Sequence, residues 1–418
     1  GPGCFWGRKG RRRGWASRPA GALPLDFRGK VKDGFAQNVR RLQAPMYRPF
    51  LFVLATLVPA FPALSQTCED RSGDFESRIA LCDQAFDAAP DPQAAAMALA
   101  FKGEAQRMLG QLDQAAATLQ TALGFNPEAA WIWVELGNVS YDRGDTAGAL
   151  AHYSAALDVE DYIDAWANRA ETWWQFRMGQ RCSDDADNAL RIDPQYAYAN
   201  EIKGRCLIDL DRAEEALGYF DTAIALYPGY QNAYRNKLAA LSALGRHQDV
   251  VAVADEALRP GVVESSNPAI EEDILARRLL ALSEYAEPAL IATEADALLQ
   301  RYPASFAAVN VKGRALVLEG KLEEADTVTQ PLRLNPEARR MEAVYHDTLA
   351  QIDVGLGRLE DAFANYSAAL DLDPALSKDY ARSLSLLGFL PLSNAPDGVL
   401  TALRRCIDVK KATCRVTS

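Results

Sequence analysis

The chain has 418 residues, 49% of them hydrophobic and 24% charged, with a formal net charge of −11, which excludes a disordered chain, a collagen-like repeat and a polytopic membrane protein. Eleven Lys/Arg fall within residues 1–45 against Asp26 and Asp33, and Arg48 is a twelfth, so residues 66–418 hold 33 basic and 54 acidic groups, a net −21. So acidic a body makes a poor nucleic-acid partner, because it offers little to replace the counterions held by phosphates. Only His152, His247 and His346 are available for His-based metal sites or general-base triads.

Residues 1–45 are rich in Gly, Arg and Pro and lack helical periodicity, so they cannot bury a core of their own. We expect a non-native or upstream extension there, disordered. From Met46 the pattern changes: Arg48 supplies a positive start, Phe50 to Val58 an apolar run, and Ala63-Leu64-Ser65 a small-x-small cleavage site. That run is shorter than the roughly 20 apolar residues needed to span a bilayer. Residues 46–65 therefore read as a signal peptide cleaved near Ser65-Gln66, giving a periplasmic or secreted product with no stable membrane span. A twin-arginine signal at Arg40-Arg41 fails because Pro45 and Pro49 separate the pair from the apolar run. A lipid anchor on Cys68 is disfavoured by Thr67 before it.

Six cysteines follow the cleavage site: Cys68, Cys82, Cys182, Cys206, Cys406 and Cys414. They fall into three sequence-local pairs, and local pairing is the expected connectivity among fifteen formal ones. The alternative is that several are free core thiols. In 66–95 the spacing of Ile79, Leu81, Cys82, Ala85 and Phe86 predicts one amphipathic capping helix over 75–88, to which Cys68 would pin the entering chain. Closing that loop stabilises by about 3 kcal/mol in the chain-entropy model.

The body, 96–374, repeats. Gly103, Gly110, Ala115 and Ala122 recur at an offset of 34 as Gly137, Gly144, Ala149 and Ala156, with Asp161 where the first copy has Pro127. The frame returns as Gly204, Ala216, Ala223 and Pro228, as Gly313, Gly320 and Ala325, and as Ala350, Gly357, Ala362, Ala369 and Pro374. Each copy holds two apolar-periodic stretches parted by a Gly-centred turn and closed by Pro, a helix-turn-helix. About eight units fit. The copy from Gly179 to Ala189 reads two residues short, and 265–303 is recognisable only by apolar spacing. Beyond it, 375–418 supplies two capping helices, 376–387 and 396–409, with Cys406 and Cys414 clipping the tail.

Through Trp133, Leu136, Gly137, Gly144, Ala149, Tyr153 and Ala156 the chain resembles the tetratricopeptide repeat family, in the exported bacterial form that begins with a spaced cysteine pair. The resemblance implies an all-α, right-handed superhelical solenoid of antiparallel helix pairs. It also implies that first helices line a concave groove, whose facing positions here are Trp131, Asn138, Tyr141, Glu171, Trp174, Tyr198 and Arg205. Trp133, Trp166 and Trp173 fall at core positions of the frame. The chaperone-tail clamp of cytosolic members is not reproduced, since Val134 stands one helical turn before Asn138 where Lys would be needed.

No glycine-rich phosphate loop, paired-histidine turn or nucleophile elbow occurs, so we expect no enzyme, no cofactor and no metal. Asp184, Asp185 and Asp187 lack the glycine and closing Glu of a calcium loop and read as a solvated helix face. The function expected is a non-enzymatic scaffold of the bacterial envelope that holds a peptide or protein segment in its groove. A small-ligand or glycan receptor using the same aromatic wall is the alternative.

Overall fold

The computed structural model describes residues 68–69, 74–262, 268–335, 337, 340, 342–374, 376–390 and 398–410. The expected extension at 1–45, the expected signal at 46–65 and Cys414 lie outside the described residues; the described residues form twenty α-helices and no strand. Two compact units divide the chain, Gly1–Asp145 and Thr146–Ser418.

In the first unit, α1 (Phe75–Asp87), α2 (Pro92–Met108), α3 (Leu112–Phe125) and α4 (Ala130–Asp142) each pack on the next. The entering helices are capped by their own sequence. Asp74 accepts the Ser77 N–H at 2.7 Å and Asp91 that of Ala94 at 2.8 Å, while Pro92 starts α2 where no backbone donor is lost. Ala96, Ala100, Ala115, Leu119, Ile132 and Leu136 form the core. Gly103 permits the crossing of α2 and α3, because a Cβ there would lie 2.6 Å from Cγ of Leu119. Cys68 and Cys82 are disulfide-bonded with Cα atoms 4.8 Å apart, as expected. The buried Arg78 holds the joined segment down by donating to the Cys68 carbonyl at 2.9 Å and pairing with Glu104 at 2.9 Å.

The second unit runs through α5 (Thr146–Val159), α6 (Ile163–Gln175), α7 (Gly179–Ile192), α8 (Ala197–Asp209), α9 (Ala213–Leu226), α10 (Gln231–Ala243), α11 (His247–Ala257) and α12 (Pro268–Leu282). It continues with α13 (Pro288–Arg301), α14 (Phe306–Leu318), α15 (Leu322–Val328), α16 (Gln330–Leu334), α17 (Ala343–Gly355), α18 (Leu359–Leu372), α19 (Leu376–Leu386) and α20 (Val399–Lys410). From α5 to α16 every helix packs on its successor. First helices also meet one another, α6 with α8, α8 with α10, α10 with α12, α12 with α14 and α14 with α17, so that no pair buries its apolar face alone. Gly204 is small because Phe220 of α9 lies where its Cβ would be. Pro194, Pro228 and Pro374 follow the last residues of α7, α9 and α18 by two positions, where a missing N–H ends the helix.

One register expectation is corrected. The short copy is not short: its left-handed turn residue is Arg177, at φ 56°, and Gly179 is already the first residue of α7. Counted from Arg177, Ala189 sits twelve residues on, as Ala156 does from Gly144. Arg177 is held there by an ion pair to Asp209 at 2.5 Å, and Gly179 is small because Leu210 would lie 3.1 Å from its Cβ. The expected bond between Cys182 of α7 and Cys206 of α8 is present, with Cα atoms 5.6 Å apart. At the carboxyl end α19 and α20 bury Tyr380, Leu384, Leu403 and Ile407 against α17 and α18 as a cap. Cys406 is buried and disulfide-bonded.

Candidate binding face on the first helices

Three of the seven groove candidates, Trp131, Asn138 and Tyr141, lie on α4 of the first unit. At helical spacings of seven and three they share one face of that helix. Trp131 is half-buried, packed on the core with its ring 6.2 Å from that of Phe101. The other four lie in the second unit, Glu171 and Trp174 on α6, Tyr198 and Arg205 on α8.

The second unit brings its candidates together, but not as open ligand contacts. Arg205 donates to both oxygens of Glu171, at 2.6 and 2.9 Å, and its guanidinium lies 3.6 Å from the centre of the Trp174 ring. One nitrogen also reaches Glu201 at 3.5 Å. Arg205 and Glu171 retain 12% and 13% side-chain exposure, so the pair is shielded without being sealed. Tyr198 stands edge-on to Tyr196, ring centres 5.9 Å apart.

Three kinds of residue escaped the sequence reading. Glu201, one turn before Arg205, is 1% exposed and accepts hydrogen bonds from Asn236 and Tyr230 of the next pair. Tyr162, Tyr196 and Tyr230 recur at an offset of 34 as the residues preceding α6, α8 and α10, and Tyr196 donates to Asp164 at 2.7 Å. That offset was visible in the sequence. Of the three aspartates of α7, Asp184 and Asp187 are exposed as expected and only Asp185 was misread. Asp185 is 6% exposed rather than solvated, because Arg169 grips both its oxygens at 2.7 and 2.9 Å and the Trp173 indole donates to it at 3.0 Å. Trp133, Trp166 and Trp173 are half-buried at the core margin rather than inside it, since each indole N–H needs a partner: the Pro127 carbonyl, Asp161 and Asp185.

Burial governs the electrostatics. It pushes the Glu201 carboxyl up to about 7, with Glu171 adding to the rise and Arg205 opposing it. Burial also disfavours the charge of Arg205, but Glu171 and Glu201 outweigh it and hold the guanidinium above the usual arginine range. The Tyr230 hydroxyl is raised well above its ordinary value by burial and by Glu201. An acid raised in the folded state binds its proton more tightly there than in the unfolded chain, so this group's contribution is fully retained below pH 4.5 and lost as pH rises to about 7. The loss is about 3 kcal/mol. Urea unfolding of Glu201→Gln should therefore match the wild type near pH 4.5 and exceed it increasingly toward pH 8; equal midpoints at pH 8 would show that Glu201 carries no such penalty.

Residues 102–170 and 184–231 match the model of the tetratricopeptide repeat. The two matched segments hold 69 and 48 residues, together less than half of the chain. The chain is similar to the Hsp70-Hsp90 organizing protein of Triticum aestivum, 23% identical over 294 residues that cover 66% of this chain and 43% of that protein. It therefore spans less than half the length of that relative. Protein FlbA of Caulobacter vibrioides is 40% identical over 67 residues, 16% of this chain and 11% of that protein. Among solved structures, pilF of Pseudomonas aeruginosa superposes with a TM-score of 0.43 at 16% identity, over 54% of this chain and 96% of its own. Among the described residues, no group of His, Cys, Asp and Glu is placed to hold a metal ion, and no helix is long and apolar enough to cross a membrane.

Proposed function

We propose that the chain is a non-enzymatic tetratricopeptide scaffold that holds an extended peptide or protein segment on its first-helix faces. The observation that carries this reading is the gathering of Trp174 and Glu171 around Arg205 on adjacent first helices, with Tyr198 on the same helix as Arg205, all four half-buried. Aromatic anchors ringed by charge-assisted hydrogen bonds are the usual source of interface affinity. Trp131, Asn138 and Tyr141 offer a second such face on α4. The wheat relative is named for organizing Hsp70 and Hsp90, which supports partner binding by repeats of this kind. Val134 is 4% exposed in the core, so the first unit offers no lysine-based clamp at that position.

The compartment we propose is the bacterial envelope or the exterior. The bonds Cys68–Cys82 and Cys182–Cys206 support an oxidising environment, because such bonds rarely persist in a reducing cytosol.

The test uses twelve-residue peptides selected from a random library against the full chain. Trp131→Ala and Trp174→Ala should each cost about 2 kcal/mol or more of affinity and leave most of the melting temperature intact. Trp133→Ala, which also removes the indole N–H bond to the Pro127 carbonyl that ties α4 to the loop before it, should do the reverse. If the first two variants melt as low as the third yet bind unchanged, the tryptophans are packing residues and the reading fails.

A further inference from the structure

Several first-helix cations of the second unit pair with the second helix before them: Lys203 of α8 with Asp187 of α7 at 2.6 Å, and Lys237 of α10 with Asp221 of α9 at 2.6 Å. The second helix that follows then covers the cation. Over Lys203 lies Tyr219 of α9, its ring centre 6.0 Å from the ammonium, and Ser183 of α7 accepts a further bond at 2.7 Å. Arg169 is covered by Asp185 at 2.7 Å and Arg278 by Glu294 at 2.8 Å. Thirty-four residues after Tyr219 and Ser183 stand Val253 and Leu217, which bring neither a ring nor a polar atom to Lys237. A cleft of about 330 Å³ opens at that place between α9 and α11. Leu217, Leu241 and Val253, all buried, make its floor, Lys237 lines it, and Glu214 and Asp249 stand at its rim. The frame recurs 75 residues on, with Val328 for Val253 and Lys312 for Lys237, and a second cleft of about 320 Å³ opens beside Val328.

We propose that the cleft between α9 and α11 takes a tyrosine side chain of a protein partner, in the place that Tyr219 fills one repeat earlier. The space suffices, since a cavity of about 150 Å³ already holds benzene. A phenol suits floor and rim together: the negative face of its ring meets the Lys237 ammonium, and its hydroxyl donates to a carboxylate of the rim. An aliphatic side chain would use the floor alone, and a phosphorylated ring would meet Glu214 and Asp249 with like charge. The walls of this site are second helices, so the inference is independent of the peptide-binding reading of the first-helix faces.

The experiment is saturation-transfer NMR of the full chain with N-acetyltyrosinamide as the probe. Its ring protons should receive saturation, with a Kd on the order of 1 mM for so small a ligand. N-acetylleucinamide and the O-phosphorylated tyrosinamide should each bind at least about fivefold more weakly. Val253→Tyr places the neighbouring repeat's own ring in the cleft, so it should abolish binding and keep the melting temperature at or above the wild-type value. Should that variant not fold, Ala252→Leu, at an exposed position lining the cleft, fills the same space. Lys237→Gln should weaken the probe about threefold. Trp174→Ala locates the probe and should move its affinity by less than about twofold. Absence of binding to the wild type, binding that survives filling of the cleft, or equal binding of the three ligands overturns the proposal. If Trp174→Ala removes binding and filling the cleft does not, the ring sits on the first-helix face: the cleft assignment fails and the peptide-binding reading stands.

Discussion

Replacing Asp353 by alanine should destabilise the second unit by about 3 kcal/mol, the low end of the range for breaking a buried ion pair. Asp353 is 0% exposed and accepts from Arg333 at 2.7 and 3.1 Å, from Arg358 at 2.8 Å and from Asn365 at 2.9 Å. Asn365 in turn meets His346 at 2.9 Å. With the carboxylate gone, two guanidiniums and an amide lose their acceptor while the surrounding helices α16, α17 and α18 still exclude most water. Full collapse is avoided because both arginines keep Asp326, which itself sits below the usual carboxylate range through its hydrogen bond to Arg358. Asp326→Ala, at 21% exposure, should therefore cost less than half as much. Urea denaturation of the two variants side by side is the measurement, and equal losses would mean that Asp353 is not the hub.

Removing the Cys182–Cys206 bond should cost about 3.5 kcal/mol, the chain-entropy value for a 24-residue separation. The bond links the second helix of one repeat to the first helix of the next, so it stiffens a junction that each repeat supplies only once. Both cysteines are 0% exposed, so the reductant should act slowly on the folded protein and quickly once urea opens it. A Cys182→Ala/Cys206→Ala double variant should show a lower urea midpoint than the wild type under oxidising conditions and the same midpoint under reducing ones. Identical midpoints under oxidising conditions would show that packing alone holds α7 on α8.

The repeat frame was legible because its signals are local. Gly204 beneath Phe220, the prolines closing α7 and α9, and the cysteine pairs each sit within one repeat length of their partners. The turn at Arg177 was not legible, because glycine is the ordinary choice for a left-handed position and Gly179 lay nearby as a decoy. The candidate face was legible in position and misread in state. Glu171 and Arg205 were correctly placed on neighbouring first helices, yet their separation of 34 residues, one repeat, is the very spacing that lets them pair with each other. Arg107 with Asp142 and Arg246 with Glu214 are bonded at separations of 35 and 32. A charge followed by its opposite one repeat later thus signals an internal ion pair, and the face has to be read with those pairs closed. The Asp353 network gave no such signal, since Arg333, Arg358 and Asn365 reach it from 20, 5 and 12 residues away.

The central claim, that the first helices form the binding face, is tested most directly by photo-crosslinking. A library-selected peptide carrying one benzophenone side chain would be bound to the full chain, irradiated, and the attachment sites mapped by mass spectrometry. The account predicts attachment to α6, α8 and α10, around Trp174, Tyr198 and Arg205. Attachment concentrated on the second helices α7, α9 and α11 would contradict it.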